Sequence, residues 1–175
     1  PRAVCVADLN NDGKNDLAVA NEFSGNVSVF LGNGDGTFLP RTTWGVGSFP
    51  RCVVAADFNR DGTLDLAVAN SASSFASVLL GNGNGTFQAA LNVGSFNNGF
   101  NLVARDFDRD GIVDLAVASF GSNTVTILRN NGAAVFTTWA SAPCGAQPNS
   151  LVAGDFNDDG FLDLAVANES SNTVS

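Results

Sequence analysis

The 175-residue sequence contains no histidine, no tyrosine and no methionine, and its one lysine is Lys14. Without His or Tyr, and with no Ser/Lys or Cys/His pairing in view, acid–base chemistry would fall to carboxylates alone. Eight basic residues against 17 acidic ones give a net charge of −9. A phosphate backbone needs a basic face, so nucleic acid is excluded as a partner. Cysteine is scarce: Cys5, Cys52 and Cys144 fall at different phases, and three thiols cannot all pair. One disulfide in a secreted chain and a small buried apolar role both stay open. There is no CxxC or Cys/His pattern, which removes zinc. No apolar run approaches ~18 residues, so no membrane insertion is expected. The sequence starts at Pro1-Arg2 with no initiator Met or signal-peptide pattern and stops at Asn172–Ser175 inside a strand-like run. It reads as an excised or processed piece.

What is present is a repeat. Of the 17 acidic residues, 14 fall in four segments, 8–16, 57–65, 106–114 and 155–163. These align without gaps as DLNNDGKNDLAVAN, DFNRDGTLDLAVAN, DFDRDGIVDLAVAS and DFNDDGFLDLAVAN. Their first residues, Asp8, Asp57, Asp106 and Asp155, are 49 positions apart each time. The chain therefore holds about three and a half repeats. The repeats run approximately 1–49, 50–98 and 99–147, with 148–175 incomplete, all within one domain spanning 1–175.

Each repeat has the same order of parts. A short apolar run comes first (Ala3–Ala7, Cys52–Ala56, Asn101–Ala104, Ser150–Ala153), then the Asp-rich loop, then Asp-Leu-Ala-Val-Ala. After a turn, a third run follows (Val27–Leu31, Ala76–Leu80, Thr124–Leu128). A Gly/Asn hairpin then leads to a more polar strand expected to begin at Phe38, Phe87 and Phe136. Both pleat faces of Leu17-Ala18-Val19-Ala20 are apolar, which marks a strand buried on both sides. Its small Ala face lets a neighbouring sheet approach closely. The expectation is an all-β β-propeller of four-stranded blades. A parallel β-helix is less suitable, because its calcium-binding form needs a nine-residue period that is absent here.

The Asp-rich loops have the pattern of a cation site. Asp or Asn stands at positions 1, 3, 5 and 9, and Gly at 6. Calcium takes six to eight hard oxygens, and alternate side chains of a tight loop can supply them. The first set is Asp8, Asn10, Asp12 and Asp16; the second Asp57, Asn59, Asp61 and Asp65. The third is Asp106, Asp108, Asp110 and Asp114; the fourth Asp155, Asn157, Asp159 and Asp163. Position 7 would offer its backbone carbonyl, so its side chain varies freely: Lys14, Thr63, Ile112, Phe161. Position 2 (Leu9, Phe58, Phe107, Phe156) is expected to anchor each loop to the core. An EF-hand would need Glu at position 12, where Val19, Val68, Val117 and Val166 stand, and a helix after it. The reading is a strand–loop–strand clip for about four structural Ca²⁺, with affinity of roughly 10⁻⁴–10⁻³ M. The Gly-Asn-Gly-Asp-Gly turns at 32–36 and their counterparts are read as hairpins rather than second metal loops, because the third repeat has no acid there.

Asp-x-Asn-x-Asp-Gly-x-x-Asp-Leu between two blade strands resembles the FG-GAP/VCBS repeat of the integrin α-subunit propeller and of many secreted bacterial proteins. Leu-Gly-Asn-Gly-Asp-Gly-Thr-Phe at 31–38 is similar to the bacterial version. The resemblance implies a seven-bladed ring, of which about half is present, with calcium between the first two strands of a blade. It also implies an extracellular, secreted or cell-surface location. The remaining blades would come from the same chain or from a second copy. The expected function is a non-enzymatic binding or adhesion scaffold for protein partners. The alternative is a lectin propeller, with Trp44 and Trp139 as candidate sugar platforms, although an amphipathic Trp packing on an outer strand suits them better. Part of a secreted carbohydrate-active enzyme ranks last, because only Glu22, Asp35, Asp158 and Glu169 lie outside the ligand sets.

Overall fold

The computed structural model describes residues 1–175 and contains strands and turns only. No helix is long and apolar enough to cross a membrane. The first sheet is β1 (Ala3–Ala7), β2 (Asp16–Asn21), β3 (Asn26–Phe30) and β4 (Thr42–Gly45). The second is β5 (Pro50–Ala56), β6 (Asp65–Asn70), β7 (Ala76–Leu79) and β8 (Leu91–Val93). The third is β9 (Gly99–Arg105), β10 (Asp114–Ser119), β11 (Thr124–Asn130) and β12 (Phe136–Pro143). The fourth has three strands, β13 (Pro148–Gly154), β14 (Asp163–Asn168) and β15 (Thr173–Val174). Every sheet is an antiparallel meander in chain order. The register repeats too: Val6–Leu17–Phe30 in the first sheet corresponds to Ala55–Leu66–Leu79 and Ala104–Leu115–Leu128 in the next two.

The cores lie between sheets. Ala18, Ala20, Val27 and Val29 of the first sheet pack against Val53, Leu66, Val68 and Leu79 of the second. Ala67, Ala69, Ala76 and Val78 of the second pack against Leu102, Leu115, Val117 and Leu128 of the third. Ala116, Ala118 and Val125 of the third pack against Leu151 and Val166 of the fourth. Each sheet thus presents an Ala-rich face to the sheet after it and a Leu/Val face to the sheet before it. Each Leu or Val buried this way contributes about 1.5–3 kcal/mol. The first strands β1, β5, β9 and β13 lie side by side. Sheets stacked face to face, with their first strands gathered on one line, form a β-propeller.

Several boundaries differ from expectation. β5, β9 and β13 each start two residues earlier than the apolar runs. The outer strand begins at the aromatic only in the third blade, at Phe136. Phe38 and Phe87 make a single bridge each, to Gly32 and Gly81, and the strands β4 and β8 start later. Two causes are visible. Phe87 turns into the core against Trp44, ring centroids 5.9 Å apart, and Pro40 has no N–H to continue the ladder. The position-2 anchors also divide: Leu9 and Phe58 are buried, Phe107 is half-buried and Phe156 is exposed. The pocket for each anchor is built by the following blade. Phe58, for example, packs edge-on against Phe136 of the third blade at 5.7 Å.

Candidate metal centres

Each Asp-rich loop turns on itself by the same set of contacts. The position-1 carboxylate accepts the N–H of position 6: Gly13 to Asp8 (2.8 Å), Gly62 to Asp57 (2.9 Å), Gly111 to Asp106 (2.9 Å) and Gly160 to Asp155 (2.7 Å). The position-5 carboxylate accepts the N–H of position 7, from Lys14, Thr63, Ile112 and Phe161, at 2.8–2.9 Å. The turn needs two left-handed residues. One is the expected Gly, with φ of 80° to 83° at Gly13, Gly62, Gly111 and Gly160. The other is position 4, a side-chain-bearing residue in every loop: Asn11, Arg60, Arg109 and Asp158, φ 59° to 65°. The four side-chain types at that position share nothing that would disclose this conformation.

Position 9 has a second duty. Asp16, Asp65 and Asp114 are fully buried. One oxygen of each takes the N–H of position 2, from Leu9 (2.8 Å), Phe58 (2.9 Å) and Phe107 (3.1 Å). The other takes an N–H sixteen residues onward, from Gly32 (2.7 Å), Gly81 (2.8 Å) and Asn130 (2.8 Å). Asp163 is half-buried and takes the Phe156 N–H at 3.0 Å. So this carboxylate joins the loop, the second strand and the third-strand hairpin. The sequence clue was available: Gly32 and Gly81 share one phase behind Asp16 and Asp65. An added Cβ at either would lie 2.2 Å from a carbonyl oxygen, of Asn15 or Leu64.

The ionisation of these groups follows from their surroundings. Burial pushes Asp65 and Asp114 up, the donated N–H bonds pull them back, and neighbouring loop carboxylates push them up again. Asp61 is held low by the Thr63 hydroxyl and N–H, and Asp12 by the Lys14 N–H. A cation placed among such carboxylates relieves their mutual repulsion.

The donor set fits a hard divalent cation. In the third loop, carboxylate oxygens of Asp106, Asp108 and Asp114 lie within 4.8 Å of one another. Ligands at 2.3–2.6 Å from one calcium stand at most about 5 Å apart, so that spacing suits a shared ion. Asn10, Asn59 and Asn157 offer amide oxygens at position 3. Ile112 and Phe161 can offer only a backbone carbonyl. The Phe161 ring is exposed, with the Arg109 guanidinium 3.7 Å from its centroid.

Other candidate residues separate from these loops. Asp35 and Asn84 accept the N–H and hydroxyl of Thr37 and Thr86, so the Gly/Asn turns close as hairpins on their own side chains. Trp44 packs against Phe87, whereas Trp139 is half-exposed on β12. Cys5, Cys52 and Cys144 are free thiols, each pushed up by burial. Glu22 pairs with Arg51 at 2.8 Å, and Glu169 accepts from Asn149 at 3.0 Å.

Stacked four-stranded blades with an acidic clip between the first and second strands define a repeat-built β-propeller. The chain belongs to the family described as the FG-GAP-like repeat, which matches residues 8–68, 57–117 and 106–166. Each match starts at one loop Asp and reaches the second strand of the next blade. A search of curated proteins returns no match. Among solved structures, BBS1N in complex with ARL6DN superposes with a TM-score of 0.67 at 16% identity, covering 98% of this chain and 54% of that one. A lectin of Agrocybe aegerita that recognises non-reducing terminal N-acetylglucosamine gives 0.61 at 21% identity, covering 93% and 45%. The V. cholerae biofilm matrix protein Bap1 gives 0.51 at 17% identity, covering 98% and 29%. This chain thus spans about half or less of each of these proteins, and the likeness is one of fold.

Proposed function

We propose that this chain is a calcium-braced, extracellular propeller segment that serves as a binding or adhesion scaffold without catalytic activity of its own. The observation that carries the reading is the acidic clip itself, closed four times at one phase by the same hydrogen bonds, with three carboxylates already grouped in the third loop. Four divalent ions would cancel all but one of the nine net negative charges. When bound, calcium would supply rigidity. The chain's own residues would orient it: position 1 through the Gly N–H, position 5 through the position-7 N–H, and position 9 through two backbone N–H groups.

The docking face of the scaffold is at the opposite end from the clips. There Phe23, in the β2–β3 turn, is 88% exposed and meets Phe49 edge-on at 5.9 Å. Phe49 itself holds φ 54°, a strained value for a bulky side chain. Beside them Arg51 lies 4.2 Å from the Phe100 ring, which stacks on Phe120 at 4.0 Å. Aromatic and Arg side chains anchor protein interfaces well. A glycan partner is the second reading, with the half-exposed Trp139 on β12 as its candidate platform. It takes support from the lectin neighbour.

Calorimetric titration of chelator-stripped protein with CaCl₂ tests the brace, and a flat trace ends the calcium reading. A glycan array separates the two docking readings. Binding to a defined terminal sugar that survives Phe23→Ser favours the glycan reading and removes the aromatic face from consideration.

A further inference from the structure

One loop differs from the other three, and its difference is matched on a neighbouring strand. Position 3 is Asn10, Asn59 and Asn157 in the first, second and fourth loops but Asp108 in the third. The residue 49 and 98 positions after Leu31 is Leu80 and then Arg129. The third blade has therefore gained a carboxylate in its loop and a guanidinium on β11. These two meet: Arg129 Nε lies 2.5 Å from Asp108 Oδ2, and its Nη2 lies 3.3 Å from Asp110 Oδ2.

In the second and fourth loops the same two positions are joined by the Asn amide. Asn59 donates to Asp61 at 2.8 Å, and Asn157 donates to Asp159 at 3.1 Å. An ionised Asp cannot donate, so Asp108 and Asp110 would repel each other. The Arg129 fork takes the place of the amide and brings the net charge of the third loop's four ligand carboxylates back to that of three. The first loop also has a cation nearby, but the contact is of another kind. Lys14 Nζ reaches only Asp12, at 3.4 Å, from within the loop itself. An ammonium is a strongly hydrated point charge on a flexible stem, while a guanidinium is planar and bridges two carboxylates from a fixed strand.

We propose that Arg129 is a built-in counter-cation that holds the third loop closed without metal and competes with calcium for it. This rests on the calcium reading above. The third loop is then metal-optional and the other three are metal-dependent. Calcium must then take Asp108 through its other oxygen beside a positive guanidinium, or displace Arg129, so its affinity at this loop falls below that of the rest in spite of the extra carboxylate.

The test uses the 175-residue chain, with CaCl₂ as the probe. Calorimetric titration should resolve three comparable sites and a fourth at least tenfold weaker. In EDTA, hydrogen exchange should show the exposed turn amides of 109–112 protected and those of 60–63 open, while the buried position-2 amides stay protected in both loops. Arg129→Leu, which installs the residue of the first two repeats, should remove that protection and strengthen the weak site at least tenfold. Asp108→Asn provides a second route if Arg129→Leu does not fold: it should bring the third site level with the others. Four equal sites, or a third loop as open in EDTA as the second, would overturn the inference while leaving the calcium reading intact. A titration with no binding at all sinks both.

Discussion

Asp65 offers a direct test of the claim that position 9 is a backbone staple before it is a metal ligand. Its carboxylate is fully buried and accepts the N–H of Phe58 at 2.9 Å and of Gly81 at 2.8 Å. Asp65→Ala leaves both donors without a partner in a dry site. Each orphaned N–H costs about 1–3 kcal/mol, so the pair costs about 2–6 kcal/mol. Removing a buried carboxylate also removes its desolvation penalty, the main cause of its raised pKa. That offset points to the lower half of the range, about 2–4 kcal/mol. For a chain of this size, Tm should fall by about 4–16 °C. The control is Asp57→Ala in the same loop, whose bonds to Asp61 and Gly62 lie in exposed positions where water can replace them. Thermal melts of both variants in EGTA separate the two duties. Asp57→Ala should then lie within about 1 kcal/mol of the wild type, and Asp65→Ala should show its full loss. Equal melting of the two variants in EGTA would refute the staple argument.

Calcium should raise Tm of the wild-type chain by well over the ~2–4 °C that 1 kcal/mol represents, and EGTA should reverse it; identical scanning traces would contradict the brace. The double change Asp57→Ala and Asp61→Ala should reduce the number of bound ions by one in a calorimetric titration. Gly81→Ala places a Cβ 2.2 Å from the Leu64 oxygen and should cost about 1–3 kcal/mol by overpacking; an unchanged denaturant midpoint would show that the hairpin relaxes freely. Leu66→Ala opens the core between the first two blades and should cost about 2–5 kcal/mol in a urea melt. Phe23→Ser should leave both melts unchanged, since the ring is 88% exposed, while weakening any protein partner captured on that face.

How much of this was legible in the sequence depends on how far each determinant reached. The 49-residue period and the second strand were readable because Asp-Leu-Ala-Val-Ala states its own burial on both faces. The Ala-to-Leu/Val packing of blades follows from that one pentapeptide. The turn of each Asp-rich loop was readable because Asp or Asn at alternate positions around a Gly supplies the acceptors that close it. The outer strands were not readable, because their start is set by the neighbouring blade. Phe87 goes inward to meet Trp44 of the blade before it, and no local pattern records that. The position-9 staple was harder to read, since its second partner is sixteen residues away and only the shared phase of Gly32 and Gly81 marks it. The third blade also departs at that partner. Asn130 takes the place of Gly81, and its amide donates to Phe58 O at 2.7 Å and Val113 O at 3.0 Å. The sequence shows a degraded turn there; the fold uses it as an extra tie between blades.

That tie gives the stack a direction. The peptide at position 2 is held on both sides by different blades. In the second blade, the Phe58 N–H is fixed by Asp65 of its own loop. The Phe58 carbonyl accepts from the third blade, from Ala134 N at 3.2 Å and Asn130 Nδ2 at 2.7 Å. Leu9 stands in the same relation to the second blade, accepting from Gly85 N at 3.1 Å. A loop's order is thus passed to the third-strand hairpin of the blade that follows. Asp65→Ala should therefore loosen the hairpin at 130–136 more than the hairpin at 32–38, although both belong to blades that flank the mutated one. Amide exchange by mass spectrometry reads this directly. Each ~1.4 kcal/mol of lost local stability speeds exchange about tenfold, and the staple's loss is large enough to give that difference. Equal acceleration in the two hairpins would mean that the blades are coupled only through their apolar faces, and the position-2 peptide would then be no relay.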